Sequence, residues 1–254
     1  MSGHSKWSTI KRKKAATDAK RGKIFSKLAR EIMIAARDGG GDPAANPSLR
    51  QVIQKARAAN MPMENIERAI KKGTGKIECA QFQEVVYEGY AAGGVGVIVE
   101  ALTDNRNRTT ADVRQVFNRF HASLSGQGSV ARMFHRRGCI TVPADAADED
   151  RLLEIAVQSG ADDVRREDGN FEIWTSPETF SAVVDAVQAA GIPLLSCEVT
   201  LVPELYIPVS DPAQARALVQ FFEALEDLDD VKSVYSNADI ADELVAQLSE
   251  QQGG

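Results

Sequence analysis

Apolar residues recur along this chain at two different periods, and the period changes near residue 80. Over residues 20–37, a wheel of about 100° per residue gathers Ile24, Phe25, Leu28, Ile32 and Ala36 into one arc. Lys20, Lys23, Lys27, Arg30 and Arg37 fall in another arc, roughly opposite. This spacing predicts a helix whose apolar stripe packs on neighbours while a continuous cationic face meets solvent. Gly39-Gly40-Gly41-Asp42-Pro43 breaks it. Asn46-Pro47 then supplies an N-cap with proline at the first helical position, and a second helix runs over Leu49, Val52, Ile53 and Ala56. Pro62 restarts the chain into a third helix, with Met63, Ile66 and Ile70 inward, Lys71 and Lys72 in its last turn and Gly73 as its stop.

From Phe82 onward, β-branched and aromatic runs replace the helical spacing. Residues 82–90 and 95–102, separated by Ala91-Ala92-Gly93-Gly94, predict a hairpin. Thr109-Thr110-Ala111-Asp112 reads as a capping box opening a helix with Val113, Val116, Phe117 and Phe120 inward. Beyond Cys139 come a strand (140–143), a helix (151–159), two strands (163–166 and 171–175), a helix (178–190) and a strand (194–202). This βαββαβ order is the ferredoxin-like split unit, which closes as its own domain. A strand over 204–209, a helix over 213–225 opened by Asp211-Pro212 and a strand over 231–235 are expected to complete the sheet begun at Phe82. A last helix is expected over 239–248. The expected fold class is α+β and multidomain. An N-terminal three-helix basic module (1–76) precedes two α/β ferredoxin-like domains, the last (138–203) inserted into the middle one (77–137 plus 204–254).

Charge is segregated along the same chain. The first thirty residues hold ten Lys or Arg against one Asp. The first 76 hold 18 basic and 6 acidic side chains, net +12, whereas residues 77–254 hold 12 and 30, net −18. A basic module joined to an acidic body is the pattern of a protein that offers one face to a polyanion and keeps the rest soluble. The candidate nucleic-acid-binding residues are Lys6, Trp7, Lys11, Arg12, Lys13 and Lys14 of the basic arm, then Lys20, Arg21, Lys23, Lys27, Arg30, Lys71 and Lys72. Lys and Arg neutralise phosphates and release counterions. For Trp7 two readings stand: stacking on an exposed base, or anchoring the arm to the helical module.

At 43% hydrophobic residues the chain has ample material for a core, but no apolar run reaches the roughly 18 residues needed to cross a bilayer. The N-terminus is too basic for a secretory signal. Cys79, Cys139 and Cys197 are odd in number, far apart and without C-x-x-C spacing, so reduced thiols are expected in place of a disulfide framework or a zinc site. Gly73-Thr74-Gly75-Lys76 resembles the end of a P-loop, but Ile70 and Ile77 occupy two required positions. Gly94-Val95-Gly96 runs into a strand and lacks the third glycine of a dinucleotide site. His4, His121 and His135 have no metal-binding spacing, and no nucleophile elbow is present. One polar constellation remains. Asn105, Arg106, Asn107, Arg108 and Thr109 stand where a strand meets a helix N-terminus, with amides, a helix dipole and two guanidinium groups suited to a phosphate or carboxylate. The other reading is that Asp104 and Asn105 shape the turn and the arginines pair with the chain's own acidic groups.

Several motifs carry a resemblance. Gly3-His4-Ser5-Lys6-Trp7, residues 19–25 (AKRGKIF), Gly39-Gly40-Gly41-Asp42-Pro43, Asn60-Met61-Pro62, residues 65–73 (NIERAIKKG), Tyr87-Glu88-Gly89-Tyr90, residues 102–108 (LTDNRNR) and Gly128-Ser129-Val130-Ala131 are similar to the YebC family over nearly the whole chain. That family includes bacterial probable transcriptional regulators and the mitochondrial translational activator of cytochrome c oxidase. The resemblance implies a three-domain protein without a catalytic centre. It associates some members with DNA and others with the ribosome and translation through proline-containing sequences. The family motif begins at Gly3, which leaves no room for a presequence, so a cytoplasmic protein is expected.

The leading functional class is a nucleic-acid-binding regulator of gene expression that is not an enzyme and acts on RNA or the ribosome as a translation factor, with rRNA or tRNA as partner. The cations are mostly lysines, suited to phosphate more than to base edges, and no recognition helix declares itself. A DNA-binding transcriptional regulator is the alternative, and an adaptor working through its acidic domains is the alternative of another class. No cofactor, metal, membrane or small-molecule substrate is expected.

Overall fold

The computed structural model describes residues 18–78, 80–167, 169–241 and 244, with residues 18–20 described by backbone alone. In chain order its elements are α1 (Asp18–Gly39), α2 (Pro47–Ala58), α3 (Met63–Gly73), β1 (Gln83–Tyr90), β2 (Gly96–Thr103), α4 (Arg106–Arg119) and β3 (Ser123–Ser125). There follow β4 (Phe134–Pro143), α5 (Glu149–Gln158), β5 (Asp163–Glu167), β6 (Asn170–Thr175), α6 (Phe180–Ala189) and β7 (Ser196–Pro203). Last come β8 (Ile207–Val209), α7 (Pro212–Glu226), β9 (Val231–Ser236) and β10 (Ala238–Ile240). Phe134–Glu204 forms one compact unit, and the described residues before and after it form the other.

In that larger unit, Leu28, Ile32, Ala35 and Ala36 of α1 join Leu49, Ile53 and Ala56 of α2 and Ile66 and Ala69 of α3 in one buried cluster. Its joints are polar. Asn46 caps α2 by accepting the Leu49 N–H at 3.0 Å, and it donates to the Ala35 and Gly40 carbonyls at 2.8 Å each. One side chain thereby ties the end of α1 to the start of α2. A Cβ on Gly73 would stand 2.3 Å from the Met33 carbonyl oxygen, so glycine is what lets α3 come this close to α1. Met63, expected inward, is 48% exposed, and Met61 is buried instead. With Pro62 as N-cap, Met61 and Ile66 occupy the N′ and N4 positions of a hydrophobic staple, so the inward methionine lies before the helix.

The same unit continues into an antiparallel sheet of order β3-β1-β2-β9, with Gln83 opposite Thr103 and Tyr90 opposite Gly96. Helices α4 and α7 share a core with it through Val97, Val99, Val113, Phe117, Leu218, Phe221, Phe222 and Leu225. The Phe117 and Phe221 rings meet edge to face at 5.0 Å. The spatial order is that of a ferredoxin-like sheet, with β1 between the strands that α4 connects, but here β1 precedes β2 as a hairpin instead of following β3. Two expectations are corrected in this sheet. Helix α4 starts at Arg106, because Asn105 accepts the Arg108 N–H at 3.2 Å and caps the helix before Thr109 is reached. The strand at 207–209 does not extend the sheet but pairs in parallel with β10. The cause is Asn237, whose side chain accepts the Gly96 N–H at 2.8 Å while its carbonyl accepts the Ile207 N–H at 2.7 Å, turning the chain from β9 into β10. Asp239 and Ile240 are therefore strand, not the start of the last helix. Leu244 is helical, and 242, 243 and 245–248 lie outside the described residues.

The unit Phe134–Glu204 is an antiparallel sheet of order β5-β6-β4-β7 with two helices, the expected βαββαβ unit. Ile140, Val142, Leu152, Ala156, Phe171, Ile173, Val183 and Val187 form its core, and Asp148 caps α5. Strand β4 begins six residues before the expected position 140, because pairing of Phe134 with Pro203 onward draws exposed His135, Arg136 and Arg137 into the ladder. Cys139, buried, and Cys197, half-buried, are reduced and not joined in a disulfide; Cys79 lies outside the described residues.

Candidate nucleic-acid interface

Helix α1 places cations along a stripe at spacings of three and four residues, and that stripe has a neighbour. Lys23 Nζ donates to the Asp227 carbonyl at 3.1 Å, Lys27 Nζ to that of Glu226 at 2.5 Å and Arg30 Nη1 to that of Asp229 at 2.5 Å. Glu226 and Asp227 are the last residue of α7 and its C-cap, where carbonyls lack intrahelical donors and the helix dipole is negative. Arg30 also reaches Asp230 Oδ1 at 3.2 Å and lies 5.5 Å above the centre of the Phe82 ring. Three of the residues expected to meet solvent thus join α1 to α7. A helical wheel locates charge but does not report what the helix packs against.

Asp230, 6% exposed, is the centre of this join. Its Oδ2 accepts from Arg108 Nη2 and Thr109 Oγ1, each at 2.7 Å, and from Thr103 Oγ1 at 3.2 Å. Arg108 also pairs with Asp104 at 2.8 Å, one turn back. Burial raises the Asp230 carboxyl, but hydrogen bonds from Arg108 and Thr109 and the charges of Arg108 and Arg30 outweigh it, holding the group below its ordinary value. The strand–helix junction that suits an anion therefore already receives one of the chain's own. Asn105 is committed as the N-cap of α4, while Arg106 and Asn107 are exposed in its first turn.

A second buried carboxylate, Glu88, faces backbone. Gly128 N–H donates to its Oε1 at 2.7 Å, and the N–H groups of Val130 and Ala131 donate to its Oε2 at 2.7 and 2.8 Å. Burial again raises this carboxyl and the three amides outweigh it, so it too sits below its ordinary value. Tyr90 adds a hydrogen bond to the Ser129 carbonyl at 3.0 Å, so segment 126–131 is fastened to β1. Among the described residues, no group of three or more His, Cys, Asp or Glu is placed to hold a metal ion.

On another side of α1, a groove of about 210 Å³ runs between α1 and α3. Phe25, Ala29, Met33, Met61 and Ala69 supply its apolar wall, and Ser26, Asn65, Arg68 and Lys72 its polar rim. The apolar residues of α1 recur at intervals of four with Ser26 beside Phe25, and those of α3 stand at 65, 68, 69 and 72, so each helix offers one continuous stripe. Arg21 stands one turn before Phe25. Lys71 is exposed and Lys72 half-buried in the last turn of α3. Lys6, Trp7, Lys11, Arg12, Lys13 and Lys14 lie outside the described residues, as does the side chain of Lys20.

Two family models cover this arrangement. Residues 5–76 match the TACO1/YebC protein N-terminal domain, and residues 82–238 match the TACO1/YebC second and third domain. The chain belongs to the TACO1/YebC family. It is 52% identical to a probable transcriptional regulatory protein of Desulforapulum autotrophicum, over 96% of this chain and 98% of that one. It is 51% identical to a protein of the same description from Treponema pallidum, over 96% of this chain and 100% of that one. The crystal structure of a conserved hypothetical protein from Aquifex aeolicus matches with a TM-score of 0.80 at 47% identity, over 90% of this chain and 94% of that one.

Within this TACO1/YebC chain, the groove residues Met61, Asn65 and Arg68 are not among the candidates that charge picks out, although the spacing of 65, 68, 69 and 72 marks one face of α3. Asp230 and Glu88 were missed because their partners lie far away in sequence or are backbone amides. No helix among the described residues is long and apolar enough to cross a membrane.

Proposed function

We propose that this chain is a nucleic-acid-binding regulator of gene expression without catalytic activity, acting on RNA at the ribosome as a translation factor. The observation that carries the reading is the separation of charge, +12 over the first 76 residues against −18 over the rest. Exposed Lys71, half-buried Lys72 and the arm of Lys6, Lys11, Arg12, Lys13 and Lys14 are the cations offered to phosphate, and their predominance of lysine suits backbone over base edges. The two buried carboxylates are saturated with donors and held ionised, which makes them poor proton carriers and supports a binding role. A DNA-directed role is the second reading, favoured by the description of the relatives as probable transcriptional regulatory proteins. Co-sedimentation with ribosomes near physiological salt, with excess duplex DNA as competitor, tests the choice. Pelleting that survives DNA and is lost on exchanging Lys11, Arg12, Lys13 and Lys14 for Glu is expected. Protein drawn off by DNA overturns the translational reading in favour of the second.

A further inference from the structure

We propose that the groove between α1 and α3 is a subsite for a single unstacked nucleobase, with the adjoining phosphates held by Arg21, Arg68 and Lys72; this rests on the nucleic-acid reading above and goes further by naming what enters. The argument begins with size. A volume of about 210 Å³ falls below the roughly 300–1,000 Å³ typical of drug-sized ligands and suits one flat ring system. The lining matches the two chemistries of a base. Its faces are apolar and polarisable, and the wall offers the Phe25 ring with the Met33 and Met61 thioethers. Its edge presents both donors and acceptors, and the half-buried Asn65 amide offers both in return.

Charge complementarity selects a nucleic acid over an apolar peptide. Arg68 and Lys72 flank the rim on α3, and Arg21 continues the α1 stripe beyond Phe25. Arg68 shares an exposed pair with Glu64 at 2.9 Å, a contact weak enough in water to yield to phosphate. Residues 18–76 carry 13 basic against 6 acidic side chains, so the surroundings as well as the rim are positive.

The test uses the full chain and two fluorescein-labelled RNA strands of about ten nucleotides, within the span such sites cover, one of mixed sequence and one abasic with the same charge. The wild-type chain is expected to prefer the base-bearing strand about tenfold, the size of one stacked base. Ala29→Leu, which fills the groove, and Asn65→Leu, which removes the edge contact, should each lower that preference while leaving the salt slope unchanged; thermal unfolding checks that both variants fold. Equal wild-type binding of the two strands overturns the subsite alone, as does a preference that both variants retain. A preference lost in Trp7→Ala but kept in Ala29→Leu places the stacking on the arm and also overturns it. Binding of neither strand removes the nucleic-acid reading and the subsite together.

Discussion

On one side of α1, lysine and arginine end on the carbonyl and carboxylate oxygens beyond α7; on the other, Phe25, Ala29 and Met33 wall a groove rimmed by Arg68 and Lys72. A charge count treats the two sides alike. Their physical consequences differ, because a cation held against the chain's own oxygens beside α7 gains less by exchanging them for phosphate than one whose pairing is exposed to water, as that of Arg68 with Glu64 is. Lys23, Lys27 and Arg30 should therefore matter to stability, and the arm and α3 cations to binding.

The largest effect should come from exchanging Lys11, Arg12, Lys13 and Lys14 for Glu. If each neutralised phosphate contributes about 1 kcal/mol, nucleic-acid binding weakens by about 4 kcal/mol and the salt slope flattens by roughly one unit per lost contact. Titrations at several salt concentrations read both, and the same slope change from Ala at Lys23, Lys27 and Arg30 would erase the distinction between the two sides. Next, Asp230→Ala should lower stability by about 2–3 kcal/mol in urea unfolding, because it strands Arg30, Arg108 and Thr109 around a vacated buried position. The salt slope of the folded protein should not change. Replacing Lys71 and Lys72 by Glu should weaken binding by about 2 kcal/mol with unfolding nearly unaltered. Smallest, Glu88→Gln should cost about 1–2 kcal/mol and speed amide exchange at Gly128, Val130 and Ala131. Both buried carboxyls titrate below their unfolded values, so protonation favours the unfolded chain. Their stabilisation is complete only above about pH 5, beyond the unfolded values of both groups, and is lost as pH falls through the depressed folded values, a loss that Glu88→Gln should reduce in acid titrations.

Much of the fold was legible wherever the determinant is local. Asn46-Pro47 announces α2 because cap and first-turn chemistry reside in two adjacent residues. The βαββαβ unit was legible because its alternation and helical spacing repeat cleanly. What escaped depends on distant partners. Asn105 displaces Thr109 as the cap, and the Thr109 hydroxyl turns instead to Asp230, 121 positions away. The parallel β8–β10 pair rests on Asn237 meeting Gly96, 141 positions away. The candidate interface divides in the same manner: Lys71, Lys72 and Arg21 stand out by charge alone, whereas the groove exists only once α3 lies against α1, and the separate fate of Lys23, Lys27 and Arg30 only once α7 is in place.

The distance from Lys23 to its carbonyl partner, 204 positions along the chain, also sets an order of events. During synthesis at about 5–20 residues per second, α1 is complete roughly 10–40 seconds before the end of α7 is made. Through that interval Lys23, Lys27 and Arg30 are uncompensated cations on a nascent chain beside the RNA of the ribosome making it. A chain arrested short of residue 226 should accordingly bind polyanions with a steeper salt dependence than the finished protein, and synthesis through Asp230, just past the end of α7, is the step that gives all three their partners.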